Sequence, residues 1–435
     1  MTLNKLFKQN EPPYHVTLQK LSSVIKKLTF IKNITQTFQY HDEPKFFQYA
    51  VNIDQTKNLT DGHKERMNAG GSSFFNKEEA FFKSLCEAIE RFSCSLYKKE
   101  DLTYGSIKNL GAKALSPLEF EGIHKNIRNN KKSRLFFDEN TTFGWTHGRH
   151  LQSGKSILLP AQTIYHSYKF EDNEGVIYVP ISTGAAGGSC MAAALVRGIQ
   201  EAVERDAFMI AYLLQKARHK LDLSSIEDEQ LTLVLEKIKK YNLTLHTFDI
   251  TSNLGIPTYL AIVEDPTGIG TPISLGMKTG FNKIETLIDA IEESFHTKGW
   301  LRSVKDDKSH EYKKIDPSMI HTIEARGIYW YKLDMRRHLD FWLKLPVEKI
   351  EIKRSDKIIT HGERLKQLIK IFDKHRYQIY YKDTTLLDVR NIGLSVVKVV
   401  IPKLQPLHLD ERYPCHGGAR LGRSKKINKI PHPFL

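Results

Sequence analysis

The sequence predicts an α/β fold with internally duplicated sheet-and-helix halves. Three observations carry that expectation. A Glu-x-x-Glu-Arg group, Glu87 to Arg91, recurs 114 residues later as Glu201 to Arg205. Each copy follows a glycine pair and a serine, Gly70-Gly71-Ser72 and Gly187-Gly188-Ser189. No long Gly/Ser linker interrupts the strand-like and helix-like stretches between residues 61 and 435. We expect an N-terminal segment, residues 1–60, followed by one large unit, residues 61–435.

Taken in order, Val16 to Ile31 reads as a helix and Phe46 to Ile53 as a strand. Gly70 to Ser73 reads as a loop, and the first motif helix runs from about Lys77 to Lys99. Ser116 to Asn130 has proline near its start and reads as another helix. Residues 142–168 read as strands and turns. Within them, Gly148 to Ser156 has five residues between its glycines where a phosphate loop needs four, and a strand-like Ile157-Leu158-Leu159-Pro160 follows; it is a hairpin turn. Val176 to Val179 should be a strand leading to the second motif helix, Met191 to about Lys216. Ser224 and Glu227 form a capping box for a helix reaching Tyr241. Leu243 to Asp249 and Thr258 to Val263 are strands, joined by a turn holding Gly255 and Pro257. Asn282 with Glu285 caps a third helix to about Trp300, bearing Glu292, Glu293, His296 and Lys298. Residues 301–358 read as a charged insertion with helix around Tyr331 to Leu343. Gly362 to His375 is a helix. Ile379 to Tyr381 and Leu394 to Ile401 are strands, the latter apolar enough to be central in a sheet.

Composition narrows the function classes. The chain has 435 residues, 40% of them hydrophobic, and can bury a sizeable core. It has no run of 18 apolar residues, so no membrane span is expected, and its first ten residues lack the apolar stretch of a signal peptide. Cys86, Cys94, Cys190 and Cys415 form no C-x-x-C pair; they read as free thiols of a cytoplasmic protein. The net charge of +15 admits a polyanionic partner. Its denser runs, Lys131 to Arg134 and Arg423 to Lys426, lack interleaved aromatics, so nucleic acid is disfavoured.

On a helix, Ser84, Glu87, Glu90 and Arg91 fall within about 120° of one another, opposite Phe81, Leu85, Ala88, Ile89 and Phe92. The second helix is apolar on nearly all sides around Glu201 and Glu204, which is the pattern of a buried helix. Buried carboxylates need a counter-charge or a metal. Glu87, Glu90, Glu201 and Glu204 on two facing helices would form an oxygen-rich cage suited to Mg²⁺ and phosphates. The glycine-serine runs would let backbone N–H groups approach an anion. The plainer alternative is two interhelical ion-pair networks.

Ser84-x-x-Glu87-x-x-Glu90-Arg91 and Glu201-x-x-Glu204-Arg205-Asp206 resemble the two signature motifs of YcaO-domain proteins. Ser182 to Gly187, Ile401 to Leu407 and Gly418 to Gly422 agree with that family. The resemblance spans roughly residues 61 to 435 and implies a YcaO-type fold around an ATP site. It implies that the four glutamates bind Mg²⁺ and that Ser84, Glu87, Arg91, Glu201 and Arg205 contact ATP. The family's third nucleotide motif is Glu-x-x-Gln-x-Arg; Glu293 fits it, while His296 and Lys298 stand in the other two places. The family's Gly-Lys-Gly loop has no lysine here.

The azoline-forming members end in Pro-x-Pro-x-Pro. This chain ends Pro431-His432-Pro433-Phe434-Leu435, with leucine for the last proline. The resemblance is closest to these peptide cyclodehydratases. It implies that Pro431 and Pro433 guide the Leu435 carboxylate into the active site as a base. It also implies a ribosomal precursor peptide as substrate, a separate leader-binding, E1-like partner, an azoline dehydrogenase as a further partner, and a homodimer. The alternatives are thioamide or macroamidine formation, and a non-catalytic nucleotide- or nucleic-acid-binding component.

Overall fold

The computed structural model describes residues 2–25, 28–54, 60–61, 66–120, 122, 130–131, 133, 135–308, 315–354, 359–422 and 426–435. Helix α1, Tyr14–Val24, leads to strands β1, Ile31–Thr37, β2, Phe47–Asp54, and β3, Arg66–Ser73. These three form an antiparallel sheet in that order. Thus the helix expected to reach Ile31 stops at Val24, because Ile31 opens a strand. The N-terminal segment is not set apart, since β1 and β2 complete the sheet to which β3 belongs. Gly70 to Ser73 is the end of β3 rather than a loop.

Helix α2, Lys77–Ser93, follows. Asn76 caps it, its side chain accepting from the backbone N–H groups of Glu78 (2.8 Å) and Glu79 (3.2 Å), an arrangement worth about 1 kcal/mol. Glu78 and Glu79 also favour the positive end of the helix dipole. Its apolar face, with Leu85, Ala88, Ile89 and Phe92 buried, packs on the first sheet, where Phe92 stacks on Phe30 at 3.9 Å.

The central sheet holds β4, Thr103–Ser106, β5, Thr142–His150, β6, Ser156–Pro160, and β7, Ala185–Gly188. The β5–β6 pairing bears out the hairpin turn. Two expected elements differ. Pro117–Glu119 is a single 3₁₀ turn, and most of the helix expected after it lies outside the described residues. Val176 to Val179 is irregular chain, its Ile177 N–H donating to the Gln162 side chain (2.8 Å) instead of to a strand.

Helix α3, Met191–Leu213, is buried along most of its length. It has no cap of its own. Gln9 accepts from the Ala192 N–H (2.9 Å) and Glu11 from the Ser189 N–H (2.7 Å), so the N-terminal residues close its first turn. Then come β8, His219–Leu221, α4, Glu229–Lys239, β9, Thr244–Asp249, β10, Thr258–Glu264, and β11, Ile273–Thr279. Asp228 caps α4 by accepting from the Leu231 N–H (3.0 Å), and the expected capping box at Ser224 falls on a separate 3₁₀ turn. Helix α5, Lys283–Lys308, runs eight residues past Trp300.

Residues 315–354 give α6, Ile323–Trp330, and the short β12, Val347–Glu348, which pairs in parallel with β8. The helix expected around Tyr331 to Leu343 is mostly 3₁₀, with one α-helical turn at Asp340–Leu343. Helix α7, His361–Lys374, opens with a capping box of Thr360 and Glu363. Strands β13, Tyr380–Asp383, and β14, Ser395–Val400, finish the central sheet, ordered β4-β5-β13-β14-β7 with β6 beside β5. β14 is interior, as its apolar run requires. The remaining sheet is ordered β11-β10-β9-β8-β12. Among the described residues no helix is long and apolar enough to cross a membrane, and Cys86, Cys94, Cys190 and Cys415 form no disulfide.

β3, β7 and β11 are each the edge strand of a different sheet, and each is followed by a helix carrying the candidate residues. The duplication therefore has a third member, β11 with α5.

Candidate active site

Edge strands expose backbone N–H groups that need acceptors. Here the acceptors are the motif glutamates. Glu87 Oε2 accepts from the Gly70 N–H at 2.7 Å, Glu201 Oε2 from the Gly184 N–H at 2.9 Å, and Glu293 Oε2 from the Met277 N–H at 2.7 Å. Each of these bonds ties a helix to its own strand or to the turn entering it.

The residue three positions on, one helical turn later, reaches the next unit. Glu90 Oε2 accepts from the Gly187 N–H of β7 at 3.1 Å, and Glu204 Oε2 from the Thr279 N–H of β11 at 2.7 Å. His296 turns to β3, where a Cβ placed on Gly70 would stand 2.6 Å from its Nε2. The three strand–helix units thus close into a ring. Glycine permits the approach. A side chain at Gly71 would collide with the backbone of Ala80 and Ser84, and one at Gly276 with that of Ala290 and Ser294. The glycine amides do meet an anion, as expected, but it is the protein's own carboxylate.

The electrostatics are unbalanced. Five carboxylates, Glu87, Glu90, Glu201, Glu204 and Glu293, face four cations, Arg91, Arg205, Lys278 and Lys398. Burial pushes Glu90 well above the usual carboxylate range; Glu201 and Glu87 push further, while Arg91 and the Gly187 N–H only partly oppose them. Burial also raises Glu204 and Glu293, against the pull of Arg205 and Lys278. Lys278 is exposed on β11; desolvation by the surrounding protein would lower it, but Glu204 and Glu293 outweigh that and raise it. A site with surplus buried and half-buried carboxylate fits a divalent cation.

The expected single cage of four glutamates is not formed. Among the described residues no three Asp, Glu, His or Cys side chains have the spacing to enclose one ion. The carboxylates are drawn apart by their separate backbone bonds. This suits Mg²⁺, which takes one or two carboxylates and completes its shell with water and phosphate oxygens.

The structure redistributes the other expected roles. Arg91 is tied to Glu87 (2.7 Å) and to the Asn68 carbonyl (2.7 Å), so it orients a glutamate. Arg205 pairs with Glu204 and Glu201, so its charge steadies both. Ser84 is fully buried, and its hydroxyl donates back to the Phe81 carbonyl (2.7 Å). Its backbone N lies against Gly71, and with its hydroxyl spent on that carbonyl it leaves the nucleotide set. Lys298 leaves it too. It is 1% exposed and donates to Asp265 (2.9 Å) and to the Thr271 carbonyl (3.1 Å), on the side of α5 turned toward the β10–β11 loop. Lys278 was missed by the sequence reading because no motif marks it; its place on β11, two residues after the glycine that admits α5, is the signal.

Pro431, His432, Pro433 and Phe434 are buried, and Leu435 is half-buried. The Tyr212 hydroxyl donates to the Ile430 (3.0 Å) and Pro431 (3.2 Å) carbonyls, Trp330 Nε1 to the Pro431 carbonyl (2.9 Å), and Arg326 to the His432 carbonyl (2.9 Å). The Phe434 ring lies 4.3 Å from Arg205 Cζ. So the tail is brought to the second motif helix. A cavity of about 60 Å³ lies behind Arg205, lined also by Thr183, Ala202, Lys398 and Gln405.

Known proteins share this fold. Residues 73–405 match the family model described as YcaO cyclodehydratase, ATP- and Mg²⁺-binding. An uncharacterized protein of Methanothermobacter thermautotrophicus is 21% identical over 77% of this chain and 81% of its own length. Among solved structures, a heterocyclase in complex with substrate and cofactor superposes with a TM-score of 0.74 at 18% identity, over 96% of this chain. The chain spans 57% of that heterocyclase. The YcaO protein of Methanopyrus kandleri bound with AMPPCP and Mg²⁺ gives 0.64 at 13% identity, covering 92% of this chain and 93% of that one. A chain of the E. coli microcin synthetase McbBCD complex gives 0.57 at 14% identity, covering 92% of this chain and 96% of that one.

Proposed function

The chain belongs to the YcaO family, which binds ATP and Mg²⁺, and from that premise we propose that it is an ATP-dependent cyclodehydratase of a ribosomal precursor peptide. A Cys, Ser or Thr side chain of the peptide attacks the preceding backbone carbonyl. The amide oxygen is a poor leaving group; transfer of the ATP γ-phosphoryl group to it lets it depart as phosphate, leaving a thiazoline or oxazoline. Bound Mg²⁺ neutralises charge on the phosphates during transfer. Glu87, Glu90, Glu201, Glu204 and Glu293 would hold the ion–nucleotide pair, with Arg91 and Arg205 keeping their carboxylates in place.

The observation that carries this reading is the tail seated against Arg205. A terminal carboxylate delivered there serves as the base for the attacking group or the amide N–H, which makes the Leu435 carboxylate the candidate, with Pro431 and Pro433 stiffening its approach. We assign leader recognition to a separate E1-like partner, a reading supported by the fold's presence in a microcin synthetase complex, and propose a homodimer. An azoline dehydrogenase would act on the product.

The test is mass spectrometry of a precursor peptide co-expressed with the chain and its partner, with and without Glu201→Ala. Loss of one water per modified residue, abolished by the substitution, is expected. Exchange of oxygen for sulfur would replace this reading with thioamide formation, and a chain that binds no ATP would overturn it.

A further inference from the structure

Beside the C-terminal end of α3 lies a groove of about 710 Å³, within the range of sites that hold drug-sized ligands and too large for one phosphate. Lys216, Arg218, Lys403 and Arg420 line it, and no Asp or Glu does among the described residues. Arg420 forms the floor. It pairs with Asp206, which is fully buried, and donates to the Tyr377 hydroxyl (3.1 Å) and to Ser252 Oγ (3.3 Å). Its charge is therefore already matched. Lys216, Arg218 and Lys403 are exposed at the rim, and Arg218 is steadied by the Ser252 carbonyl at 3.2 Å. The wall is apolar, formed by Ala207, Ile210, Ala211 and Ile250.

The groove is distinct from the candidate active site. Its α3 residues lie farther along the helix and are turned roughly 120° from Glu201 and Arg205. The tail packs on the other flank, against Phe208 at 5.6 Å. Yet the two regions share a wall. In the segment 401–407, Lys403 faces the groove, while Leu404 and Gln405 line the cavity behind Arg205.

We propose that this groove docks an acidic peptide segment, one in which carboxylates alternate with apolar side chains. The rim cations, which form no ion pair among the described residues, take the carboxylates and the apolar wall takes the side chains between them. Nucleic acid fits less well. The groove has one aromatic ring, Tyr377, already partnered by Arg420 at 5.7 Å, and offers no stacked series of rings for bases. A segment held here would leave its neighbouring residues beside the wall that bounds the cavity behind Arg205.

The test is fluorescence anisotropy of the full chain with a short fluorescein-labelled peptide of alternating glutamates and leucines, at low salt. Lys216→Glu with Lys403→Glu is expected to weaken binding by at least about tenfold. Lys108→Glu with Lys113→Glu changes net charge equally near the far end of β5 and should leave binding within about twofold. ATP-analogue binding should be unchanged in both, showing that the fold and the nucleotide site persist. Failure of the unaltered chain to bind the peptide, or equal losses in the two double variants, would overturn the proposal. So would a single-stranded oligonucleotide of matched charge that binds more tightly and is displaced by the groove substitutions.

Discussion

The ring of Phe434 lies over the guanidinium of Arg205, 4.3 Å from ring centre to Cζ, while that guanidinium holds Glu201 and Glu204. One aromatic contact thus joins the tail to the acidic cluster. Phe434→Leu keeps apolar bulk but removes the ring face, and contacts of this kind contribute about 1–2 kcal/mol. Peptide conversion should fall roughly 5- to 30-fold, with ATP-analogue affinity little changed. Equal loss of both in a titration would mean that the ring serves the nucleotide site alone.

Glu204→Gln preserves an acceptor for the Thr279 N–H and removes one charge from an overcrowded cluster. Without Mg²⁺ and nucleotide the melting temperature should hold steady or rise, since a costly buried charge is gone. Mg²⁺–nucleotide should stabilise the variant far less than the unaltered chain. Thermal shift with and without ligand measures both, and a large drop for the ligand-free variant would contradict the charge imbalance.

Gly276→Ala and Gly70→Ala should part company. The first drives a methyl group into the backbone of α5, which cannot yield; the second meets only the His296 ring. We expect Gly276→Ala to cost about 3 kcal/mol or more and Gly70→Ala about 1 kcal/mol, read from denaturant midpoints.

Lys298→Met leaves Asp265 without its buried partner and should destabilise the chain by about 3–5 kcal/mol, with ATP affinity of the folded protein retained. Ser84→Ala should change neither by more than about 1 kcal/mol. A specific loss of ATP affinity in either would restore that residue to the nucleotide site.

Acid should release the N-terminal segment. Burial alone would raise Glu11, but the Arg197 hydrogen bond and charge, with the Ser189 N–H and His361, pull it down to about 2 from 4.5. A carboxyl depressed in the folded state stabilises above its unfolded value and loses that contribution as pH falls. The window is therefore pH 4.5 down to about 2. Arg197 is partly exposed, so Arg197→Met should cost about 1–2 kcal/mol near neutral pH and flatten stability across that window, as denaturant curves at several pH values would show.

The two motif helices, the β9–β10 pair, β14 and the hairpin at residue 154 were legible because each rests on a local signal: periodicity, a turn or an apolar run. The end of β3 was read as a loop, and β7 was not read as a strand, because their glycines lack the apolar alternation of strands. Those glycines serve a contact between elements, which local patterns do not record. The same blindness hid the third unit. Ser274-Leu275-Gly276-Met277 has no glycine pair, although Met277 precedes Glu293 by nearly the spacing of Gly70 and Glu87. Lys298 was misplaced for a related reason. Helical position gives an angle but not a partner, and Asp265 comes from a distant turn.

The ring of three units closes through two carboxylates and one imidazole, Glu90, Glu204 and His296. Were all three joints acidic, a cation and its phosphate chain would meet three equivalent seats and could settle in any of them. The imidazole, whose pKa burial lowers, sets the third joint apart from the two acidic ones and gives the ring a head and a tail. In the nucleotide site proposed above, that broken symmetry would give a bound triphosphate its polarity, and a carboxylate at position 296 would remove it.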